Sequence, residues 1–171
     1  ITNNICHTTR VDSTDESSEV NRSPSGTKFL KKEVREGLVP RLLQDLMAQR
    51  DEHKALMKTA KDESTRMFHD QMQSAVKILM NTFYGVFASA FYRFTHPDIG
   101  SAITAWARSN IKKIIHSLEE EGHPVVYSDT DSVFVSAPDE GKEALVSFGH
   151  ELAARFTKEG AELEFEKGLS V

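Results

Sequence analysis

Asp129 and Asp131 stand one residue apart in the stretch VVYSDTDSVFV, residues 125–135. Each flank is a β-branched and aromatic run, so the stretch reads as a hairpin with two carboxylates at its joint. Hard carboxylate oxygens at one end of a sheet suit Mg²⁺, which fills its other positions with water and phosphate oxygens. Asp and Thr are also ordinary turn residues, and a purely structural turn fits the same letters. The Val, Phe and Tyr flanks favour the metal, because they are expected to bury the two acids in part, and a buried acid needs a counter-ion.

A second constellation is basic. Arg50 and Lys54 are four residues apart, which places them on one helix face; Lys77 and Asn81 repeat that spacing, with Tyr84 and Gly85 one turn further on. A guanidinium and two ammonium groups on rigid helices suit a triphosphate, the first through bidentate hydrogen bonds and the others as point charges. Asn81 and Gly85 cost helix stability in their apolar surroundings, which calls for a reason beyond propensity. Gly85 leaves room for a base pair or a backbone to approach, and Tyr84 offers a flat face and a hydroxyl. A solvated basic face and a packed tyrosine at a helix end are the plain alternatives. The seven histidines have no metal-ligand spacing and read as surface or packing residues. Gly-rich phosphate loops, nucleophile elbows and zinc patterns do not occur. Cys6 is the sole cysteine, so no internal disulfide forms.

The elements that carry these residues follow from periodicity. Leu42, Leu43, Leu46 and Met47 predict a helix from Val39 to about Lys61, with Pro40 in its first turn. A second helix, from about Ser64 to Phe87, has Met72, Val76, Leu79 and Met80 on one side, and the short AKDES joint makes the two an antiparallel pair. A third helix is expected from Pro97 or Asp98 to Glu121, stopping at Gly122 before Pro124. The two strands of the DTD hairpin come next, then a helix in GKEALVSFGHELAARFTKEG and an alternating strand in AELEFEKG. Residues 11–26, VDSTDESSEVNRSPSG, are too polar to order themselves and read as a mobile surface loop. The fold class is therefore α+β, an antiparallel helical hairpin attached to a small antiparallel sheet with packing helices.

At 171 residues and 39% hydrophobic, the chain can form a core for one ordinary domain or two small ones. Its apolar stretches fall far short of the roughly 20 residues of a membrane span, and its N-terminus lacks a secretory pattern. An intracellular location without membrane contact is expected. The net charge of −5 is unevenly spread: nine bases face five acids between Lys28 and Lys61, whereas the C-terminal third is acidic. That basic stretch suits an anionic ligand better than the total charge suggests.

Three separated strings, QRDEHKALM, KILMNTFYG and YSDTDS, together resemble the fingers and palm motifs of the family B (alpha-like) DNA polymerases. The third is similar to that family's YGDTDS motif C, the second to its KxxxNSxYG motif B, and the first to the basic fingers helix that grips the triphosphate. NICHTT near the start resembles the stretch downstream of motif A, and ELEFEK the palm strand after motif C. The resemblance implies that Asp131 is a ligand of the catalytic metal ions, with Asp129 as its motif C neighbour and second candidate. Arg50, Lys54 and Lys77 would bind the triphosphate of the dNTP, Asn81 and Tyr84 would line the nascent base-pair pocket, and Gly85 would give room beside the template. Two Mg²⁺ ions are implied, with Mn²⁺ able to substitute, as are a primer-template DNA and a lid-like closure of the helical hairpin.

On this resemblance residues 1–36 form a palm-to-fingers segment, 37–88 the fingers and 89–171 part of the palm. Ser128 departs from the family's usual Gly and Thr82 from its usual Ser. The segment with the other metal-binding Asp, the thumb and the proofreading exonuclease are expected elsewhere, in the same or a separate chain. The 171 residues alone are expected to be inactive. The location would be nuclear in a eukaryote and the nucleoid-bearing cytoplasm in a prokaryote. A DxD after an apolar strand also marks metal-dependent glycosyltransferases, but their upstream half alternates strands and helices, unlike the long helices here. A non-catalytic helical interaction module explains the amphipathic helices and leaves KILMNTFYG and YSDTDS as coincidences.

Overall fold

The computed structural model describes residues 1–12, 19–89, 91–137, 141–160 and 163–169. They divide into two compact units, Ile1–Ala105 and Trp106–Val171, and the α+β class holds. The first unit has a three-stranded antiparallel sheet, β1 (Arg10–Val11), β2 (Val20–Arg22) and β3 (Lys28–Leu30), in the order β1-β3-β2. Helices α1 (Leu38–Thr59) and α2 (Glu63–Ala88) follow, and α3 (Pro97–Glu120) crosses the boundary between the units. The second unit adds β4 (Val125–Asp129), β5 (Ser132–Val135) and α4 (Lys142–Lys158).

The polar stretch 11–26 and the stretch AELEFEKG depart from the sequence expectations. Part of the polar stretch 11–26 is ordered: Val20 is buried, Val20–Arg22 pairs with β3, and the Ser23 and Thr27 backbones close the turn between them. A ladder partner supplied by β3 offsets the ordering entropy that the composition alone could not. Residues 13–18 of that expected loop lie outside the described residues. The expected strand in AELEFEKG does not form over residues 163–169. Its alternation survives as burial, with Leu163 and Phe165 half-buried and Glu164 and Glu166 exposed. A strand needs hydrogen-bonding partners as well as alternation, and the two-stranded sheet of β4 and β5 takes in none of residues 163–169.

Short-range signals set the helix ends. Asp62 caps α2, its carboxylate accepting from the Thr65 amide at 2.8 Å and the Thr65 hydroxyl at 2.8 Å. The Thr65 amide and then its hydroxyl hold the Asp62 carboxyl below its ordinary range. A lowered folded pKa means the cap stabilises above the unfolded value, near pH 4, and is lost as pH falls through the folded value. The first turn of α2 is therefore expected to fray in Asp62→Ala at neutral pH, and in the parent chain only in acid. Cα chemical shifts of Glu63 to Arg66 across a pH titration test this, and parent-like shifts in the variant would contradict it. At the other end of α3, the His123 amide bonds Leu118 O at 2.8 Å and the Gly122 amide bonds Glu119 O at 3.1 Å, with Gly122 at φ +82°. This is the Schellman stop that a Gly after a helical run predicts.

The hairpin of α1 and α2 changes character along its length. Near its base Leu46 and Val76 are buried between the helices. Farther out the inward positions are polar: Arg50 Nε donates to Gln73 Oε1 at 3.4 Å, and His53 and His69 share a 3.0 Å Nδ1···Nδ1 hydrogen bond. The expected apolar stripe on α2 is rotated accordingly, with Met72 and Leu79 exposed. In the second unit, Ile114 and Leu118 of α3 and Phe156 of α4 form a core, covered by Val125, Val133, Val135, Leu152 and Leu163. The sheet of β4 and β5 thus sits on a helical floor.

Candidate nucleotide and metal sites

β4 and β5 pair in antiparallel register, Ser128 with Val133 and Asp129 with Ser132, leaving Thr130 and Asp131 as a two-residue turn. Opposed residues share a face. Ser128 and Val133 are half-buried, whereas Asp129 lies on the solvent face with the Tyr127 and Phe134 pair, whose ring centroids are 5.7 Å apart. A register irregularity between Val125 and Tyr127 leaves Val126 75% exposed and shifts the alternation. Without it Tyr127 would face the helices and Asp129 with it.

Both aspartates are exposed. The expectation that their flanks would bury them in part is therefore wrong: Val126, Tyr127 and Phe134 are themselves exposed, and only alternate residues reach the core. The tip is ordered from within. Ser132 Oγ donates to Asp129 O at 3.0 Å, Ser128 Oγ to Ser132 O at 3.1 Å, and Thr130 Oγ1 to Asp129 Oδ1 at 3.0 Å. Thr130 has φ +51°, a left-handed conformation that a β-branched residue adopts at a cost of about 1–3 kcal/mol. The departure at Ser128 falls on the strand before the tip rather than at this strained residue.

On the helical hairpin, Arg50 and Lys54 are half-buried one turn apart on α1, and Lys77, Asn81 and Tyr84 are exposed along α2. The Arg50–Gln73 hydrogen bond brings Arg50 to within one turn of Lys77. Lys54, one turn farther out on α1, lies about 12 Å from Lys77 in projection along the hairpin, at 1.5 Å per residue. Tyr84 is 45% exposed, and a Cβ built on Gly85 meets nothing within 4 Å, so this end of α2 presents an open surface. Thr82, the other departure, turns its hydroxyl back to Leu79 O at 2.6 Å. Arg50, Lys54, Lys77, Asn81, Tyr84 and Gly85 belong to the first unit and the Asp129–Asp131 tip to the second.

Two features escaped the sequence reading. The His53–His69 pair was foreshadowed only by antiparallel pairing about the joint near Lys61, which sets positions 53 and 69 opposite each other. The other is a knot around Asn4, in NICHTT, which nothing in its local pattern announces.

Residues 1–170 match the family DNA polymerase family B. The DNA polymerase delta catalytic subunits of Glycine max and Caenorhabditis elegans are each 33% identical, over 96% and 99% of this chain and 17% of their own length. A DNA polymerase of Thermococcus sp. (strain 9oN-7) is 38% identical over 60% of this chain and 13% of its own length. The structure of the family B DNA polymerase from the hyperthermophilic archaeon Pyrobaculum calidifontis superposes with a TM-score of 0.74 at 24% identity, covering 96% of this chain and 21% of that one. The chain thus spans about a sixth of the delta subunits it matches, at 17% of their length. With three separated motifs and a family match running from residue 1 to residue 170, the chain belongs to DNA polymerase family B.

Proposed function

We propose that this chain supplies the nucleotide-binding helical hairpin and the metal-binding turn of a DNA-directed DNA polymerase. The reaction is template-directed attack of a primer 3′-hydroxyl on the α-phosphorus of a dNTP, with pyrophosphate leaving. One observation carries the reading: the exposed, internally bonded Asp129–Thr130–Asp131 tip, in a chain matched to family B over residues 1–170.

Asp129 and Asp131 suit Mg²⁺ in donor chemistry, because both offer exposed carboxylate oxygens and Asp131 has no cationic partner among the described residues. Among those residues no third His, Cys, Asp or Glu joins them, so they supply part of a coordination shell. When bound, the two Mg²⁺ ions supply charge stabilisation at the attacking and leaving oxygens. The chain's own groups do the rest. Arg50, Lys54 and Lys77 bind the triphosphate and offset charge on the departing pyrophosphate. Asn81 and Tyr84 line the nascent base pair, Gly85 leaves space for the template, and the hairpin closes as a lid. Primer-template DNA is the second substrate. The remaining palm segment with a further carboxylate, the thumb and an exonuclease complete the enzyme.

A chimera tests this. Residues 1–170 replace the corresponding stretch of the Thermococcus polymerase, which shares 38% identity over 103 residues. The chimera is expected to extend a primer with dNTPs and Mg²⁺, while the 171-residue chain by itself does not. A folded chimera that binds primer-template without incorporating nucleotide would refute the function, and extension by the isolated chain would refute the division of labour.

A further inference from the structure

The side chain of Asn4 is 1% exposed and forms three hydrogen bonds to backbone far away in sequence. Its Nδ2 donates to Leu30 O at 2.7 Å and to Arg35 O at 2.8 Å, and its Oδ1 accepts from the Gly37 amide at 2.8 Å. Leu30 ends β3, Arg35 lies in the connection, and Gly37 is the N-cap of α1. One amide therefore ties the sheet, the connection and the entrance of the helix together. Asn4 is itself held at φ +53°, with the Thr9 hydroxyl donating to Asn4 O at 2.6 Å.

Gly37 offers no side-chain cap, in contrast to Asp62 on α2. Nor is there room for a different residue: a Cβ on Gly37 would lie 2.8 Å from Asn4 Oδ1 and 3.0 Å from both Cys6 Cβ and Pro40 Cδ. The chain passes Asn4 with backbone in direct contact, which only glycine permits.

We infer that Asn4 is a positioning residue that fixes the direction in which α1 leaves the three-stranded sheet, and through α1 the triphosphate-binding groups. This rests on the reading of the α1–α2 hairpin as the nucleotide grip. A lever argument gives the scale. Arg50 lies about 18 Å along α1 from Leu38, so a tilt of about 5° at the base moves it by about 1.6 Å. A displacement of that size takes a donor from hydrogen-bond distance to beyond reach of the phosphate it grips, which weakens dNTP binding. An amide buried with three backbone partners resists such a tilt because each bond broken leaves a buried polar group unpaired.

Two variants in the full-length chimera test the inference. Asn4→Gly removes the three bonds without strain, since glycine is at ease at φ +53°. Gly37→Ala keeps Asn4 and pushes the helix entrance away from it. Each is expected to raise KM for dNTP about fivefold or more, with kcat largely recovered at saturating dNTP and the Kd for primer-template unchanged. Arg50→Ala and Lys77→Ala serve as controls. If both controls leave KM for dNTP unaltered, the nucleotide-grip reading fails. If the controls raise it and the folded Asn4 and Gly37 variants do not, the positioning role is overturned. Failure of both variants to fold would assign Asn4 to folding alone and likewise overturn it.

Discussion

Asp131→Asn in the chimera is expected to lower nucleotide incorporation by about a thousandfold or more, while thermal stability stays within about 0.5 kcal/mol of the parent. The two halves of that expectation come from different observations. Asp131 is exposed and has no partner among the described residues, so replacing its carboxylate by an isosteric amide disturbs no packing and no ion pair. On the proposed function, the loss of rate follows from removing one formal charge and one hard oxygen ligand from a turn that would hold Mg²⁺ against phosphate oxygens. Thr130 Oγ1 keeps its bond to Asp129 Oδ1 in the variant, so the tip retains its shape. Single-turnover incorporation and a melting curve on the same preparation give the answer. Incorporation near the parent level would remove Asp131 from the metal site, and a coupled loss of stability would recast it as structural.

Lys77→Ala is expected to raise KM for dNTP about ten- to a hundredfold, the equivalent of one charge-assisted hydrogen bond of about 1.5–3 kcal/mol to a phosphate. Lys77 is exposed in the interior of α2, and alanine is the stronger helix former there. Stability should hold or rise slightly while nucleotide use weakens, an opposition that general damage to the fold cannot produce. Arg50→Ala is a less clean companion, because Arg50 is half-buried and donates to Gln73, so its removal also unties the two helices. Arg50→Lys should recover little, since an ammonium cannot reproduce the planar fork. Steady-state kinetics across dNTP concentrations separate these cases, and an unaltered KM in Lys77→Ala would exclude Lys77 from the triphosphate.

Much of this was legible beforehand because it depends on neighbours in the chain. The stop at Gly122 and the hairpin turn between β4 and β5 are each decided within about five residues, and each formed where the letters indicated; the cap at Asp62 is as local, although the sequence reading did not single it out. The long helices lie within two residues of their expected ends for the same reason. Candidate site residues are legible by type and spacing, and the motif strings point to the family without any tertiary information.

Other features depend on partners distant in sequence. Val20–Arg22 is a strand only because β3 is beside it, and residues 163–169 keep a strand's alternation without a ladder. Asp129 is on the exposed face because a register irregularity at Val126 sets which face it occupies, and pairing register cannot be read from one strand. The polar interior of the outer hairpin, Arg50 with Gln73 and His53 with His69, needs two helices in a particular rotation. Asn4 is the clearest case. By itself the sequence determined the local conformations and the chemical groups on offer, since those follow from each residue and its nearest neighbours. Only the tertiary structure decided that an asparagine at position 4 would hold the start of a helix at position 37, because hydrogen bonds between distant residues exist only once folding has met the entropy cost of bringing them together.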